Sequence, residues 1–92
     1  MYLLITYDIV SDKRRRKIDK ILSSYGYRVN YSVFELEINA ATFRKLRQEL
    51  TELMQERDSV RCYNHTKETI EKSIELNPRL AHPFSKEEAY VL

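Results

Sequence analysis

The chain has 92 residues, 42% of them hydrophobic, and a formal net charge of +2. That length makes one small domain, and a single cysteine, Cys62, excludes an internal disulfide framework and fits a reducing compartment. No apolar stretch approaches the roughly 18 residues that a membrane helix needs, so no membrane partner is expected and the expected location is the cytoplasm.

The small net charge hides an asymmetry. Residues 12–20 carry six Lys/Arg and two Asp, a local +4 that leaves −2 for the rest of the chain. A basic patch on a mildly acidic body attracts polyanions. The plain alternative is a solvated helix face. A chain this short buries only about 60–65% of its unfolded surface, so pairing with a second copy would add to its stability.

In chain order, residues 2–8 are apolar at nearly every position and predict a strand covered on at least one face. Ser11 or Asp12 can cap the helix that follows. In that helix Ile18, Ile21, Leu22 and Tyr25 form an apolar stripe of helical period, and Gly26 suits a left-handed residue that ends it. Residues 27–38 predict two strands joined near Asn30-Tyr31-Ser32. In the second, Phe34, Leu36 and Ile38 alternate with Val33, Glu35 and Glu37. Asn39 can cap a second helix, with Phe43, Leu46, Leu50, Leu53 and Met54 inward. Residues 59–64 predict a fourth strand.

The resulting order, β-α-β-β-α-β, is the ferredoxin-like arrangement of the α+β class. Both helices should cover one face of an antiparallel sheet and leave the other free, and two such free faces could pair in a symmetric homodimer. Residues 1–65 form this core. Residues 66–92 are a tail of the same domain: Lys67 to Asn77 suggests a short helix with Ile70 and Ile74 inward, and Ala89-Tyr90-Val91-Leu92 an extra strand that could add to a sheet edge.

The chemistry concentrates where the first strand meets the first helix. Asp8 ends the strand, and Lys13-Arg14-Arg15-Arg16-Lys17 open the helix. Cations there oppose the helix macrodipole by a few tenths of a kcal/mol each, which points to an anionic partner. On a helical projection Lys13, Arg16, Lys17 and Lys20 face solvent and could track phosphates. Arg14 and Arg15 flank the buried stripe near Asp8, and Arg14 joins the nucleic-acid-binding set; the alternative for the pair is a salt bridge to Asp8 or Asp12. Mg²⁺ takes one or two carboxylates plus water and substrate phosphate, so a twofold axis near Asp8 would make a site shared by two copies credible. Cys62 and His65 have the spacing of two zinc ligands but lack a second pair. No nucleophile–base triad, no Gly-rich phosphate loop and no aromatic RNP signature is present.

Tyr7-Asp8-Ile9, Arg15, the block Tyr25-Gly26-Tyr27-Arg28-Val29-Asn30-Tyr31-Ser32-Val33-Phe34-Glu35, and Asp58-Ser59-Val60-Arg61-Cys62-Tyr63 closely resemble the family of the smaller core CRISPR spacer-acquisition protein. The match covers residues 1–65 in order and spacing. Asn30 stands where that family often has Gln, and Lys17 where it has a second basic residue. The resemblance implies a ferredoxin-like homodimer with two Asp8 residues facing each other across its axis. It implies a Mg²⁺-dependent endoribonuclease or endonuclease in which Asp8 is the metal ligand, Asp8, Arg15 and Arg28 are catalytic, and Tyr7 and Phe34 neighbour the site. It further implies a CRISPR integrase partner and a double-stranded DNA prespacer, with single-stranded RNA as a further substrate. A DNA-bridging scaffold without catalysis, or a ribonuclease toxin on a similar fold, are the alternatives.

Overall fold

The computed structural model describes residues 1–84. Its elements run β1 (Tyr2–Asp8), α1 (Asp12–Tyr25), β2 (Tyr27–Asn30), β3 (Val33–Glu37), α2 (Ala40–Leu53), β4 (Ser59–His65) and a short α3 (Lys67–Lys72). The four strands form one antiparallel sheet in the order β2-β3-β1-β4. This is the ferredoxin-like topology, with α1 and α2 on one face.

Strand alternation explains the layering. Leu3, Ile5 and Tyr7 of β1 and Phe34 and Leu36 of β3 point to the helix side and are buried, as are Ile18 and Leu22 of α1 and Leu46 and Leu50 of α2. Each such side chain contributes about 1.5–3 kcal/mol relative to leaving it exposed. Ile21, Tyr25, Phe43 and Leu53 close the margin of this core. The caps follow the sequence. Ser11 Oγ accepts from the Arg14 N–H at 3.3 Å, and Asn39 Oδ1 accepts from the Thr42 N–H at 2.8 Å.

Gly26 departs from expectation. Its backbone is extended, with φ −158°, so helix α1 does not end in a left-handed residue. Glycine is needed there for space: a Cβ would lie 2.3 Å from the Glu35 carbonyl oxygen and 2.8 Å from Leu36 Cγ. The chain turns from α1 into β2 directly against β3, and only a hydrogen fits between them.

The tail corrects two further expectations. Helix α3 stops at Lys72 rather than running to Asn77, and Ile74 is largely exposed. Ile70 is half-buried, but the helix ends before Ile74 is brought onto the core, and a helix this short has little stability of its own. The sheet face opposite the helices is also not wholly free. The Phe84 ring lies edge-on to Tyr2 at 5.9 Å and to His65 at 5.8 Å, and its N–H donates to Glu35 Oε1 at 2.7 Å. The Tyr27 hydroxyl donates to the His82 carbonyl at 3.4 Å. A groove of about 380 Å³ remains between tail and sheet, walled by Tyr27, Val29, Ile74, Leu80 and Pro83. The strand expected at 89–92 lies outside the described residues.

Candidate nucleic-acid and metal site

Strand β1 delivers Tyr7 and Asp8 to opposite faces, because successive side chains alternate. Tyr7 enters the core. Asp8, paired with Ser59 of β4, stands exposed on the face away from the helices. Among the described residues its carboxylate makes no hydrogen bond or ion pair, so its oxygens are available to a ligand.

The loop that follows is clamped by a residue that sequence reasoning gave no role. The Asp58 side chain has no exposed surface and gathers four donors: the Val10 N–H at 3.0 Å, the Gln55 N–H at 2.9 Å, and Arg14 Nε and Nη2 at 2.9 and 3.1 Å. A carboxylate accepts about four hydrogen bonds, so Asp58 is saturated. The Arg14 guanidinium, with the two backbone N–H groups, holds this carboxyl well below the usual carboxylate range. The clamp ties the α2–β4 loop to the β1–α1 loop and thereby steadies the backbone just after Asp8.

Arg14 is therefore committed to Asp58 and contacts neither Asp8 nor Asp12. Arg15 pairs instead with Asp12, Nη2 to Oδ1 at 2.6 Å, one turn away on the same helix. The salt-bridge alternative weighed for this pair thus holds for Arg15. Lys13, Arg16, Lys17 and Lys20 are exposed along α1, and among the described residues their side chains have no ion-pair partner. They form the uncommitted cationic strip.

Arg28, Phe34 and Tyr7 do meet, but on the helix side of the sheet rather than around Asp8. Arg28 lies opposite Phe34 in the β2–β3 ladder, with its guanidinium 5.0 Å from the centre of the Phe34 ring. Phe34 in turn neighbours the Tyr7 ring at 6.2 Å. Asp19 of α1 joins the group. One carboxylate oxygen accepts from the Tyr7 hydroxyl, the other pairs with Arg28 Nη2 at 3.2 Å, and Arg28 Nη1 donates to the Tyr31 carbonyl. Burial and the Asp19 contact push the Tyr7 phenol up to about 12. The signal for Asp19 was an acid set beside Ile18 in a helix of cations, facing the strand that carries Tyr7.

The donor set fits a hard cation that needs few protein ligands. Asp8 offers exposed, unengaged carboxylate oxygens, as Mg²⁺ requires, and leaves its remaining positions to water and phosphate. Among the described residues no three His, Cys, Asp or Glu cluster, so one chain makes no closed metal cage. The Cys62–His65 pair is not a metal site either. Cys62 pairs with Ile5 and His65 with Tyr2, which puts them on opposite faces of β4. Cys62 is exposed on this edge strand rather than buried.

A family model described as CRISPR associated protein Cas2 matches residues 1–73. Among curated proteins, a CRISPR-associated endoribonuclease Cas2 of Chloroflexus aurantiacus is 45% identical over 64 residues, 68% of this chain and 69% of that protein. The CRISPR-associated endonuclease Cas2 of Halalkalibacterium halodurans is 42% identical over 69 residues, 68% of this chain and 72% of that protein. Among solved structures, Streptococcus pyogenes Cas2 superposes with a TM-score of 0.72 at 34% identity, covering 84% of this chain and all of that one. A chain of a partial Cas6-RT-Cas1–Cas2 complex gives a TM-score of 0.72 at 31% identity, covering 92% and 97%.

Proposed function

The chain belongs to the Cas2 family of CRISPR-associated proteins, and from that premise we propose that it acts in CRISPR spacer acquisition as a dimeric, nucleic-acid-binding, Mg²⁺-dependent endonuclease. The observation that carries this reading is Asp8: an exposed carboxylate at the end of a strand, without a partner among the described residues, beside a strip of cations likewise unpaired among them.

Two copies joined through their helix-free faces would bring two Asp8 carboxylates together, and these would hold the Mg²⁺. When bound, the ion supplies a Lewis acid that polarises a phosphoryl oxygen and activates water. The rest falls to the protein. Lys13, Arg16, Lys17 and Lys20 attract and align the phosphate backbone without reading bases. Arg28, held over Phe34 on the face opposite Asp8, offers its N–H donors to a phosphate of the bound backbone rather than to the one at the metal. Arg15 can turn from Asp12 to phosphate, since an exposed ion pair of this kind contributes little. Arg14 drops out of the binding set because Asp58 occupies it. The polymeric substrate is duplex DNA or single-stranded RNA.

A second reading has an observation of its own. One carboxylate per chain is sparse for phosphodiester chemistry, whereas the α1 strip is rich. In that reading the dimer is a scaffold that carries a DNA duplex to an integrase partner, as the assembly of the structural relative with Cas1 suggests.

The test is binding and cleavage of duplex DNA and single-stranded RNA by wild type and Asp8→Ala, with Mg²⁺ and a salt series. Loss of cleavage with an unchanged salt slope supports the nuclease. Absence of cleavage by wild type, with retained binding, leaves the scaffold.

A further inference from the structure

The geometry points to Asp19 as the positioning residue of Arg28: we infer that its carboxylate, braced by the Tyr7 hydroxyl, fixes the guanidinium so that its remaining donors face a phosphate. The inference rests on the reading of Arg28 as a phosphate ligand.

Arg28 is a long side chain on a four-residue edge strand, beside a register shift. Left alone, such a side chain samples many rotamers, and ordering it opposes binding. Here it is held on three sides. Nη2 meets Asp19, Nη1 meets the Tyr31 carbonyl, and the guanidinium face lies over Phe34. The Tyr7 hydroxyl is a further hydrogen-bond partner of the guanidinium, and not all of its five N–H donors are used. The guanidinium side chain keeps 40% exposure and Asp19 only 26%. The cation is thus partly open while its anchor is mostly covered.

Asp19 is itself constrained. It sits on α1 next to fully buried Ile18, and its second oxygen is taken by Tyr7, which is 6% exposed in the core. The chain of support runs core, Tyr7, Asp19, Arg28. A carboxylate meant only to neutralise Arg28 would not need a buried phenol to hold it. No charge other than Arg28 is bonded to Asp19 among the described residues, so removing the carboxylate removes one defined restraint.

The experiment compares wild type, Asp19→Asn, Asp19→Glu, Tyr7→Phe and Arg28→Ala, full length, with Mg²⁺ and a nucleic-acid substrate. Asp19→Asn keeps the shape and retains an acceptor for Tyr7. It should weaken duplex affinity by about tenfold at fixed salt, because Arg28 must then be ordered on binding. Asp19→Glu should recover part of that loss, and Tyr7→Phe should weaken binding less. Independently of activity, the Arg28 side-chain N–H signal in NMR should be sharp and slowly exchanging in wild type and broadened in Asp19→Asn.

An Arg28 signal that stays sharp in a folded Asp19→Asn protein overturns the inference. So does tighter binding by that variant with a salt slope steeper by about 0.9, the change for one added phosphate contact, since Asp19 would then compete with phosphate for Arg28. Should Arg28→Ala bind duplex as well as wild type, the reading of Arg28 fails while the NMR arm still decides whether Asp19 holds it.

Discussion

The two faces of the sheet are built on opposite terms. On the helix side the buried polar groups are paired, Tyr7 with Asp19 and Asp19 with Arg28, whose guanidinium is the most open to solvent of the three, and the apolar side chains pack on each other. On the other side, among the described residues, stand Asp8 with no partner, Arg61 with a 3.4 Å contact to the Tyr63 hydroxyl, and Tyr63 nearly half exposed. The tail covers just one margin of that face through Phe84. Saturated groups hold a fold, and groups left open are free to bind. The same division separates two carboxylates 50 residues apart in sequence, since among the described residues Asp58 accepts four donors and Asp8 none.

Four substitutions test this contrast. Phe34→Ala, at the centre of the closed face, should destabilise by about 3–5 kcal/mol in denaturant unfolding, because it removes a wholly buried ring and leaves a cavity. Gly26→Ala should cost about 1–3 kcal/mol, because the clashing neighbour is backbone and cannot move aside. A loss of less than about 0.5 kcal/mol would show that the α1–β2 corner is looser than it looks.

Asp58→Asn keeps an acceptor for Val10 but puts an amide donor against Arg14 and the Gln55 N–H. It should lower Tm, with a definite pH dependence. The folded carboxyl titrates below its unfolded value of about 3.9, so its contribution is full above that pH and is lost as pH falls through the folded value. The gap in Tm between wild type and variant should therefore be constant from pH 5 to 8 and narrow below about pH 4. A gap that does not change with pH would mean that the Arg14 pairing contributes nothing.

Asp8→Ala should have the smallest effect on stability, since no interaction within the described residues is lost. Its Tm should match wild type while cleavage disappears. A clear fall in Tm would place Asp8 among the structural carboxylates and remove the distinction between the faces.

The fold was largely legible before any coordinates, for a local reason. Strand alternation in Val33 to Ile38, the stripe Ile18-Ile21-Leu22-Tyr25, and caps at Ser11 and Asn39 are patterns within a few residues, and each produced the element expected. Where local pattern met a tertiary demand, the reading failed. Gly26 looked like a helix cap, but its reason is a carbonyl of β3, nine residues on. Ile70 and Ile74 looked like one inward stripe, but α3 ends at Lys72 and Ile74 is left largely exposed at the rim of a groove. The site was legible as a set of residue types, not as an arrangement. Tyr7, Asp8, Arg28 and Phe34 were all picked out, yet period-2 alternation sends Asp8 to one face and the other three to the opposite one.

Composition and spacing alone thus determined the element order, the core stripes, the caps and the presence of an open cationic strip beside one strand-end acid, because each depends on near neighbours along the chain. Only the tertiary structure decided which charges are spent. Arg14 meets Asp58 across 44 residues, and Arg28 meets Asp19 from another element. An ion pair is chosen by distance in space, and the folded sheet, not the sequence, sets that distance.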